Sequence, residues 1–419
     1  MHRIESELKH RILILDGALG TITQEYGFSE SDFRTKRLVN HNTELKGNTE
    51  ILNLSQPDII ENIHLQYLEA GADIITTNTF GANSISQADY GLSEWVYKIN
   101  FAGAQLGLNA IKKYRINNGT KPIFLAGAIG PTTKLASLSP DVNDPGFRSV
   151  GFDQLVSAYT EQANALIDGG VDLFLLETIT DTLNAKAAIF GLMELFAKLG
   201  REFPIMISGT ITDASGRILS GQTLEAFLIS ISHAPLISVG LNCALGSREL
   251  IPYVRELHER CPFYVSAHPN AGLPNQFGDY DQSPEEFAQL IHQFAQEKWV
   301  NIVGGCCGTT PEHIRMAYLA VKDIVPRRGK SNLTSGLRQG TPPFIIDKIN
   351  NWTTSTSKPT FELKELMSIV SYIDDKESFM RLKNKFDAER NKYHPEQALL
   401  LNAHIYGRYQ YLRTEIGQP

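Results

Sequence analysis

The sequence predicts a (β/α)₈ TIM barrel followed by a C-terminal helical extension. Three observations lead to this fold class: eight short apolar runs, an amphipathic helical pattern after each run, and glycine or proline at the junctions. The runs are apolar along their whole length, as strands that are buried on both faces are. They are Ile12–Leu15, Asp73–Thr77, Ile123–Ala128, Asp172–Glu177, Ile205–Ser208, Ile237–Asn242, Phe263–Ala267 and Asn301–Gly304.

The helices between the runs carry their own start and stop signals. Pro57 opens a helix that is expected to end before Gly71. Ser283 and Glu286, three residues apart, predict a capping box at the start of a later helix. These signals divide the chain between the runs into helices of the length that a barrel needs.

An open, doubly wound sheet is the alternative arrangement of alternating strands and helices. Such a sheet normally carries a glycine-rich phosphate loop after its first strand. The stretch Asp16–Gly20, which follows the first run, does not form that glycine pattern. The barrel is therefore the preferred prediction.

Composition limits the functions that the chain can have. Its 419 residues are 42% hydrophobic, which is enough for a large core, and the net charge of −7 argues against a nucleic-acid-binding surface. Four cysteines are too few for a disulfide framework. No apolar run approaches the roughly 20 residues that a membrane helix needs, and the polar start Met1–Glu7 has no signal-peptide pattern. We therefore expect a cytoplasmic protein without nucleic-acid or membrane partners.

The composition changes near residue 326. A stretch rich in Ser, Thr and Pro follows, which is typical of a linker. Apolar residues at helical spacing then recur to the end of the chain. We therefore predict a barrel over residues 1–328, a linker over residues 329–360 and a helical tail of unknown function over residues 361–419.

Three of the four cysteines stand where the sixth and eighth runs end. Cys243 follows the sixth run, and Cys306 and Cys307 stand in a glycine-rich turn after the eighth. The carboxyl ends of barrel strands share one rim, which carries the active site. Three thiolates at that rim suit Zn²⁺ with one coordination position left open. The alternative is that they are small buried residues, since cysteine is often buried, and Cys261, which precedes a run, is interpreted in that way.

A zinc ion on three thiolates would activate a thiol substrate. The metal makes a bound thiol lose its proton near neutral pH, whereas a free thiol has a pKa of about 8.5. The negative charge of the thiolate ligands leaves the bound sulfur nucleophilic. Such a sulfur can attack a methyl group on a cationic or metal-bound donor.

Carboxylates also stand at this rim. Asp16 follows the first run and Glu177 ends the fourth, and either can hold a substrate ammonium group through charge-assisted hydrogen bonds. The structural alternatives are that Asp16 caps a turn and that Glu177 pairs with a lysine. His268, after the seventh run, is interpreted as structural, and Asp141–Pro145 as a turn.

Several longer stretches resemble a known family. They are ILDGALGT at 14–21, EAGADIITTNTF at 69–80, SPDVNDP at 139–145, MISGTITD at 206–213, GLNCALG at 240–246, AHPNAGLPN at 267–275 and the Cys306–Cys307 turn. Together they resemble the homocysteine S-methyltransferase family, and most closely the N-terminal homocysteine-binding module of cobalamin-dependent methionine synthase. The resemblance covers roughly residues 8–328.

The resemblance implies the same barrel, with zinc held by Cys243, Cys306 and Cys307 and activating the substrate thiol. It implies L-homocysteine as the substrate and L-methionine as the product. The amino-acid end of homocysteine would contact residues at the ends of several strands. These substrate-binding residues are Asp16, Gly17, Glu177, Ser208, Gly209 and Asn242.

The resemblance leaves the methyl donor open, since the residues after 328 match none of the further modules of such a methionine synthase. One source is methylcobalamin or methyltetrahydrofolate chemistry on another chain, and the other is a small sulfonium such as S-methylmethionine. The likeness to the cobalamin-linked branch favours a partner protein as the source, with methylcobalamin as one cofactor that it can supply in trans. The predicted function is a zinc-dependent homocysteine methyltransferase of methionine biosynthesis, acting as a free-standing module. The alternative is a catalytically inactive zinc or thiol sensor, or a zinc-buffering protein, on the same barrel.

Overall fold

The computed structural model describes residues 2–328, apart from residues 120, 213, 214 and 277, together with residues 380, 383, 384 and 388. The chain divides into two compact units, Met1–Gly329 and Lys330–Pro419. The architecture below is that of the first unit. The predicted linker and helical tail lie outside the described residues, apart from the four isolated positions.

Eight parallel strands form one sheet, which confirms the predicted fold class. Each predicted run overlaps one strand. The strands are β1 (Leu13–Ile14), β2 (Ile74–Thr76), β3 (Phe124–Ile129), β4 (Leu173–Ile179), β5 (Ile205–Gly209), β6 (Leu236–Gly246), β7 (Tyr264–Asn270) and β8 (Ile302–Val303). Their order in the sheet is β1-β8-β7-β6-β5-β4-β3-β2, and every pairing is parallel.

Contacts between β1 and β2 close the sheet into a barrel. The backbone N–H of Asp16 donates to the carbonyl of Ile74 at 3.0 Å, and that of Asp73 donates to the carbonyl of Ile14 at 2.7 Å. Leu15 also bridges to Ile74 in parallel register. Closure satisfies the sheet edges and brings the carboxyl ends of the eight strands to one rim.

Helices connect the strands and surround the barrel. The α-helices are α1 (Arg3–Leu8), α2 (Leu19–Glu25), α3 (Leu52–Ser55), α4 (Pro57–Glu69), α5 (Ser84–Ala88), α6 (Val96–Asn118), α7 (Phe152–Gly169), α8 (Thr182–Leu199), α9 (Leu224–Ile231), α10 (Ser247–Arg260), α11 (Pro284–Gln296) and α12 (Pro311–Val321). Short 3₁₀ helices cover Glu30–Phe33, Thr49–Ile51 and Ser93–Trp95. Within the described part of the chain, none of the helices combines the length and the apolar character needed to cross a membrane.

Local sequence signals set several of these helix boundaries. Pro57 is the first residue of α4, where its missing N–H costs no helical hydrogen bond. Ser283 caps α11, because its Oγ accepts the backbone N–H of Glu286 at 3.2 Å. Gly170 ends α7 in the left-handed conformation, with φ of 95°, which glycine adopts without steric cost.

The amino-terminal half of the barrel interior is a hydrophobic core. Helix α1 contributes to it and covers this end of the barrel, so the interior is packed here and the opposite rim is left for chemistry. Tyr264 of β7 packs against the core. The buried residues of this core are Ile4, Leu8, Leu13, Leu15, Ile74, Phe124, Ala126, Leu173, Leu175, Met206, Ile237 and Ile302.

Shortening Leu8 should destabilise the barrel strongly. Leu8 has 0% exposure, and a buried Leu→Ala change typically costs about 2–5 kcal/mol because it removes contacts and leaves a cavity. Urea unfolding of Leu8→Ala would measure the loss. The control is Ile116→Ala on α6, where the side chain is 82% exposed and a change within about 0.5 kcal/mol is expected. Equal costs at the two positions would show that α1 does not cover the core.

Candidate active site

Cys243, Cys306 and Cys307 meet at the carboxyl-terminal rim of the barrel. Cys243 lies near the end of β6, and the other two follow β8. Their Sγ atoms all lie within 4.8 Å of one another, and Cys243 Sγ is 3.6 Å from Cys307 Sγ. All three side chains are partly exposed. The structure therefore brings together the thiols that the sequence predicted as one cluster.

A left-handed turn in β6 brings Cys243 to the cluster. Side chains alternate between the two faces of a regular strand, and Asn242 already faces the interior, where it contacts Ser208. A regular Cys243 would consequently face the outer helices. Instead Cys243 and Ala244 have φ of 59° and 54°, and the pairing of β6 with β7 shifts after Asn242. Such irregularities re-aim side chains beside active sites, at a cost of about 1–3 kcal/mol for each left-handed non-glycine residue.

Backbone hydrogen bonds fix the turn that carries Cys306 and Cys307. The N–H of Cys306 donates to the carbonyl of Pro269 at 2.8 Å, and the carbonyl of Cys307 accepts from the N–H of Ala271 at 2.9 Å. Thr309 Oγ1 closes the turn by donating to the carbonyl of Cys306 at 2.7 Å. The two thiols are therefore held by β7 and by their own turn.

Substituting Gly308 should damage this turn. Its φ is 77°, and an added Cβ would collide with the Cβ and ring of Tyr280. Gly308→Ala should therefore lower the free energy of unfolding by about 1–3 kcal/mol and weaken metal binding. Thermal unfolding and metal titration would measure both effects. As a control, Gly20→Ala lies within α2 with nothing within 4 Å of the new Cβ and should stabilise the helix by about 0.5–1 kcal/mol.

The three sulfur atoms fit a metal ion. A tetrahedral zinc site with Zn–S bonds of about 2.3 Å places its sulfurs about 3.8 Å apart, close to the 3.6 Å between Cys243 and Cys307. Hydrogen bonds from Cys243 and Cys306 hold the pKa of Cys307 below its usual value. A thiolate is the form that binds metal. The cluster can therefore hold a metal ion, with soft donors that suit zinc.

Two carboxyl groups lie beside the thiols, and both have raised pKa values. Asp16 is 2% exposed, and burial raises its pKa well above the usual value, with nearby Glu177 adding to the rise. Burial raises the pKa of Glu177 to about 7, and Cys307 adds to that rise. Among the described residues, no lysine or arginine forms an ion pair with either carboxyl. Asp16 and Glu177 therefore offer hydrogen-bond acceptors that no lysine or arginine of the described residues occupies.

Asp16 is held by the neighbouring strand. Its Oδ2 accepts the backbone N–H of Thr76 at 2.8 Å, and Thr76 Oγ1 donates to its carboxylate at 3.1 Å. The carboxyl therefore bonds across to β2 and does not cap its own turn. Gly17 follows in a crowded place, where an added Cβ would lie 2.7 Å from Thr309 Oγ1 and 2.9 Å from the Tyr67 ring.

The remaining predicted substrate contacts lie on β5 and β6. Ser208 Oγ donates to Asn242 Oδ1 at 2.7 Å, so the two side chains bond to each other. Gly209 packs against Phe227, whose ring lies 2.9 Å from the position of an added Cβ. The contacts of these residues with a substrate stay predictions.

The sequence analysis interpreted three further residues, His268, Asp141 and Cys261, as structural. Burial lowers the pKa of His268 to about 3, so this side chain is neutral near pH 7. The Asp141 Oδ1 accepts the N–H of Asn143 at 2.8 Å in an exposed loop, which is turn geometry. Cys261 is fully buried just before β7, at the other end of the barrel.

The sequence analysis gave no role to two further residues at this end of the barrel, Tyr280 and Asn270. The Tyr280 side chain hydrogen-bonds with Cys307 and has a raised pKa, chiefly through burial. Asn270 is 1% exposed, and its Oδ1 has no hydrogen-bond partner among the described residues. Asn270 belongs to the stretch at 267–275 that carries the resemblance, whereas Tyr280 has only its position after the seventh run as a signal.

Comparisons with known proteins identify a family and a related fold. The model of the family described as homocysteine S-methyltransferase matches residues 13–321. The fold resembles the homocysteine methyltransferase MmuM from Escherichia coli in its metallated form, with TM-score 0.59 and 23% identity over 76% of this chain and 98% of that one. The oxidized form of the same protein gives TM-score 0.58 and 21% identity over 74% and 95%.

The structural likeness supports the barrel, and the family match covers most of it, residues 13–321. The positions of Asp16, Glu177 and the three clustered cysteines fall within that range. The region that matches ends before the linker and tail predicted from the sequence. The chain therefore belongs to the homocysteine S-methyltransferase family and is a methyltransferase.

Proposed function

We propose that the protein transfers a methyl group to the thiol of L-homocysteine, forming L-methionine, with zinc on Cys243, Cys306 and Cys307. One observation carries the proposal: three thiols within 4.8 Å of one another share a rim with two carboxyl groups that form no ion pair with any lysine or arginine in the part of the chain that the structure describes. A thiol amino acid has the two groups that such a site complements, a sulfur for the metal and an ammonium for the carboxylates.

The residues divide the work of holding homocysteine. The cysteines hold zinc, which when bound makes a substrate thiol lose its proton near neutral pH. Asp16 and Glu177 accept hydrogen bonds from the ammonium group. Backbone amides at Gly17 and at Ser208–Gly209 bind the carboxylate. Holding both ends fixes the direction of the sulfur, which lowers the entropic barrier to transfer.

The methyl donor reaches this sulfur from the open mouth of the barrel. We propose that a separate polypeptide supplies it as methylcobalamin or by methyltetrahydrofolate chemistry, and that this barrel binds the homocysteine in methionine biosynthesis. S-methylmethionine is the competing small-molecule donor. A cytoplasmic location belongs to the same proposal, since that compartment keeps thiols reduced.

A donor panel tests the proposal most directly. Zinc-loaded full-length protein is mixed with homocysteine and with methylcobalamin, methyltetrahydrofolate or S-methylmethionine, and methionine is quantified. We expect tightly bound zinc and methionine formation with at least one donor. Protein that holds no zinc and makes no methionine with any donor would refute the proposal.

A thiol-based sensor or zinc buffer is the second candidate function. The 3.6 Å separation of Cys243 and Cys307 sulfurs favours it, because neighbouring thiols can oxidise and release a metal. Calorimetry with homocysteine separates the two functions. Tight, zinc-dependent binding with proton release supports the enzyme, whereas weak binding with redox-dependent zinc release supports the sensor.

A further inference from the structure

The amide of Asn242 uses its whole hydrogen-bonding capacity inside the protein. The residue has 0% exposure. Its Oδ1 accepts the backbone N–H of Thr178 at 3.0 Å and the hydroxyl of Ser208 at 2.7 Å. Its Nδ2 donates to Thr178 Oγ1 at 2.9 Å and to Cys306 Sγ at 3.7 Å. An amide side chain has two donors and two acceptor lone pairs, so none is left for a substrate.

The partners of Asn242 also fix which way the amide points. A backbone N–H can only donate, so the atom facing the N–H of Thr178 is Oδ1. Nδ2 must then face Cys306, and the sulfur receives an N–H. Asn242 therefore ties the Cys306 sulfur to the end of β6.

The bonds of Asn242 cross the barrel interior. Asn242 is on β6, Thr178 on β4, Ser208 on β5, and Cys306 follows β8. In the sheet, β6 is next to β5 but two positions away from both β4 and β8. One side chain therefore connects the thiol cluster to the strand end that carries Glu177.

The hydrogen bonds of Asn242 also hold Thr178 in an unusual backbone conformation. Its φ is 57°, an uncommon conformation for a β-branched residue. Asn242 bonds to both its backbone N–H and its hydroxyl. Because Glu177 directly precedes Thr178 in the chain, the same hydrogen bonds fix the backbone that carries the Glu177 side chain.

We propose that Asn242 is a positioning residue that holds Cys306 Sγ and the Glu177–Thr178 backbone in a fixed relation, and that it makes no contact with the substrate. This role rests on the proposed function and replaces the substrate contact that the sequence predicted for Asn242. Removing a hydrogen-bond partner of a metal ligand typically lowers metal affinity or activity about 10- to 100-fold. The loss should therefore appear at the metal before homocysteine is added.

The test uses the full chain loaded with Co²⁺, whose thiolate absorption bands report on the ligands. Asn242→Leu keeps a similar volume and removes all four hydrogen bonds. We expect its Co²⁺ and Zn²⁺ affinities to fall by about 10- to 100-fold and its cobalt bands to shift. The control, Asn118→Leu, makes the same change at an exposed position on α6, so its metal affinity and cobalt spectrum should match those of the unchanged chain.

Unchanged metal affinity and cobalt bands in Asn242→Leu, with only homocysteine binding lost, would make Asn242 a substrate contact and overturn the proposal. If the leucine variant does not fold, Asn242→Ser takes its place with the same expectations, because serine is too short to reach Cys306. Failure of the proposed function is distinguishable, since the unchanged chain would then bind no zinc or no homocysteine.

Discussion

Replacing Cys306 by serine should remove the metal and abolish methyl transfer. Serine is similar in size, but its hydroxyl stays protonated near neutral pH and is a poor ligand for a borderline-soft ion. Losing a hydrogen-bond partner of a metal ligand already lowers metal affinity or activity about 10- to 100-fold. Losing the ligand itself should therefore lower zinc affinity at least about 100-fold. Elemental analysis after dialysis measures bound zinc, and methionine formation measures activity.

The matched control for Cys306→Ser is Cys261→Ala. Cys261 is fully buried at the amino-terminal end of the barrel, away from the thiol cluster. The control removes one sulfur from the chain and should retain both zinc and activity. Wild-type zinc content in Cys306→Ser, or its loss in Cys261→Ala, would show that the metal binds elsewhere.

The sequence predicted the fold because its apolar runs and helix signals agree along the first 328 residues. All eight predicted runs overlap observed strands. The ends of the observed strands differ from the ends of the predicted runs, because hydrogen-bonded pairing with neighbouring strands decides where a strand ends. Only two residues each of β1 and β8 pair as strand, whereas β6 continues through Cys243 to Gly246. Local composition does not reveal how far a neighbouring strand offers partners.

The convergence of the three cysteines was also predictable, since barrel strand ends share a rim. The geometry that makes the convergence useful was not. Neither cysteine nor alanine favours left-handed backbone, so nothing local identified the turn at Cys243 and Ala244. The bonds of Asn242 arise from strands far apart in the sequence, and Tyr280 comes from a loop. Such features are imposed by tertiary contacts and leave no periodic signal.

Neutralising either rim carboxylate should weaken homocysteine binding and spare the metal. Truncating one partner of a buried, hydrogen-bonded charge pair costs about 2–5 kcal/mol, or roughly 30- to several-thousand-fold in affinity. Asp16→Asn and Glu177→Gln keep the side-chain shapes, so KM should rise by that order while zinc content stays unchanged. The control is Glu94→Gln, an exposed acid before α6, with unchanged KM expected. An unchanged KM in both rim variants would place the ammonium group elsewhere.

The raised pKa of Glu177 adds a pH dependence of defined sign. Its pKa is about 7 because the carboxyl is buried, so it gains a proton and loses its charge as the pH falls through 7. L-methionine is a suitable probe because its thioether does not titrate. Its affinity should fall between pH 8 and pH 6, and Glu177→Gln should flatten that slope. Equal slopes in the two proteins would contradict the assignment of Glu177 to the ammonium group.

The Glu177 carboxyl should also make folding stability depend on pH. Stability should fall as the pH rises, whereas the affinity for methionine should increase. The folded state binds the Glu177 proton more tightly than the unfolded chain does, where the pKa has its ordinary value near 4.5. The unfolding free energy should therefore fall as the pH rises from that value to about 7. Glu177→Gln should remove this part of the loss and be more stable than the unchanged chain above pH 7. A carboxylate kept without a cation is thus expected to cost stability at the pH where it binds substrate best.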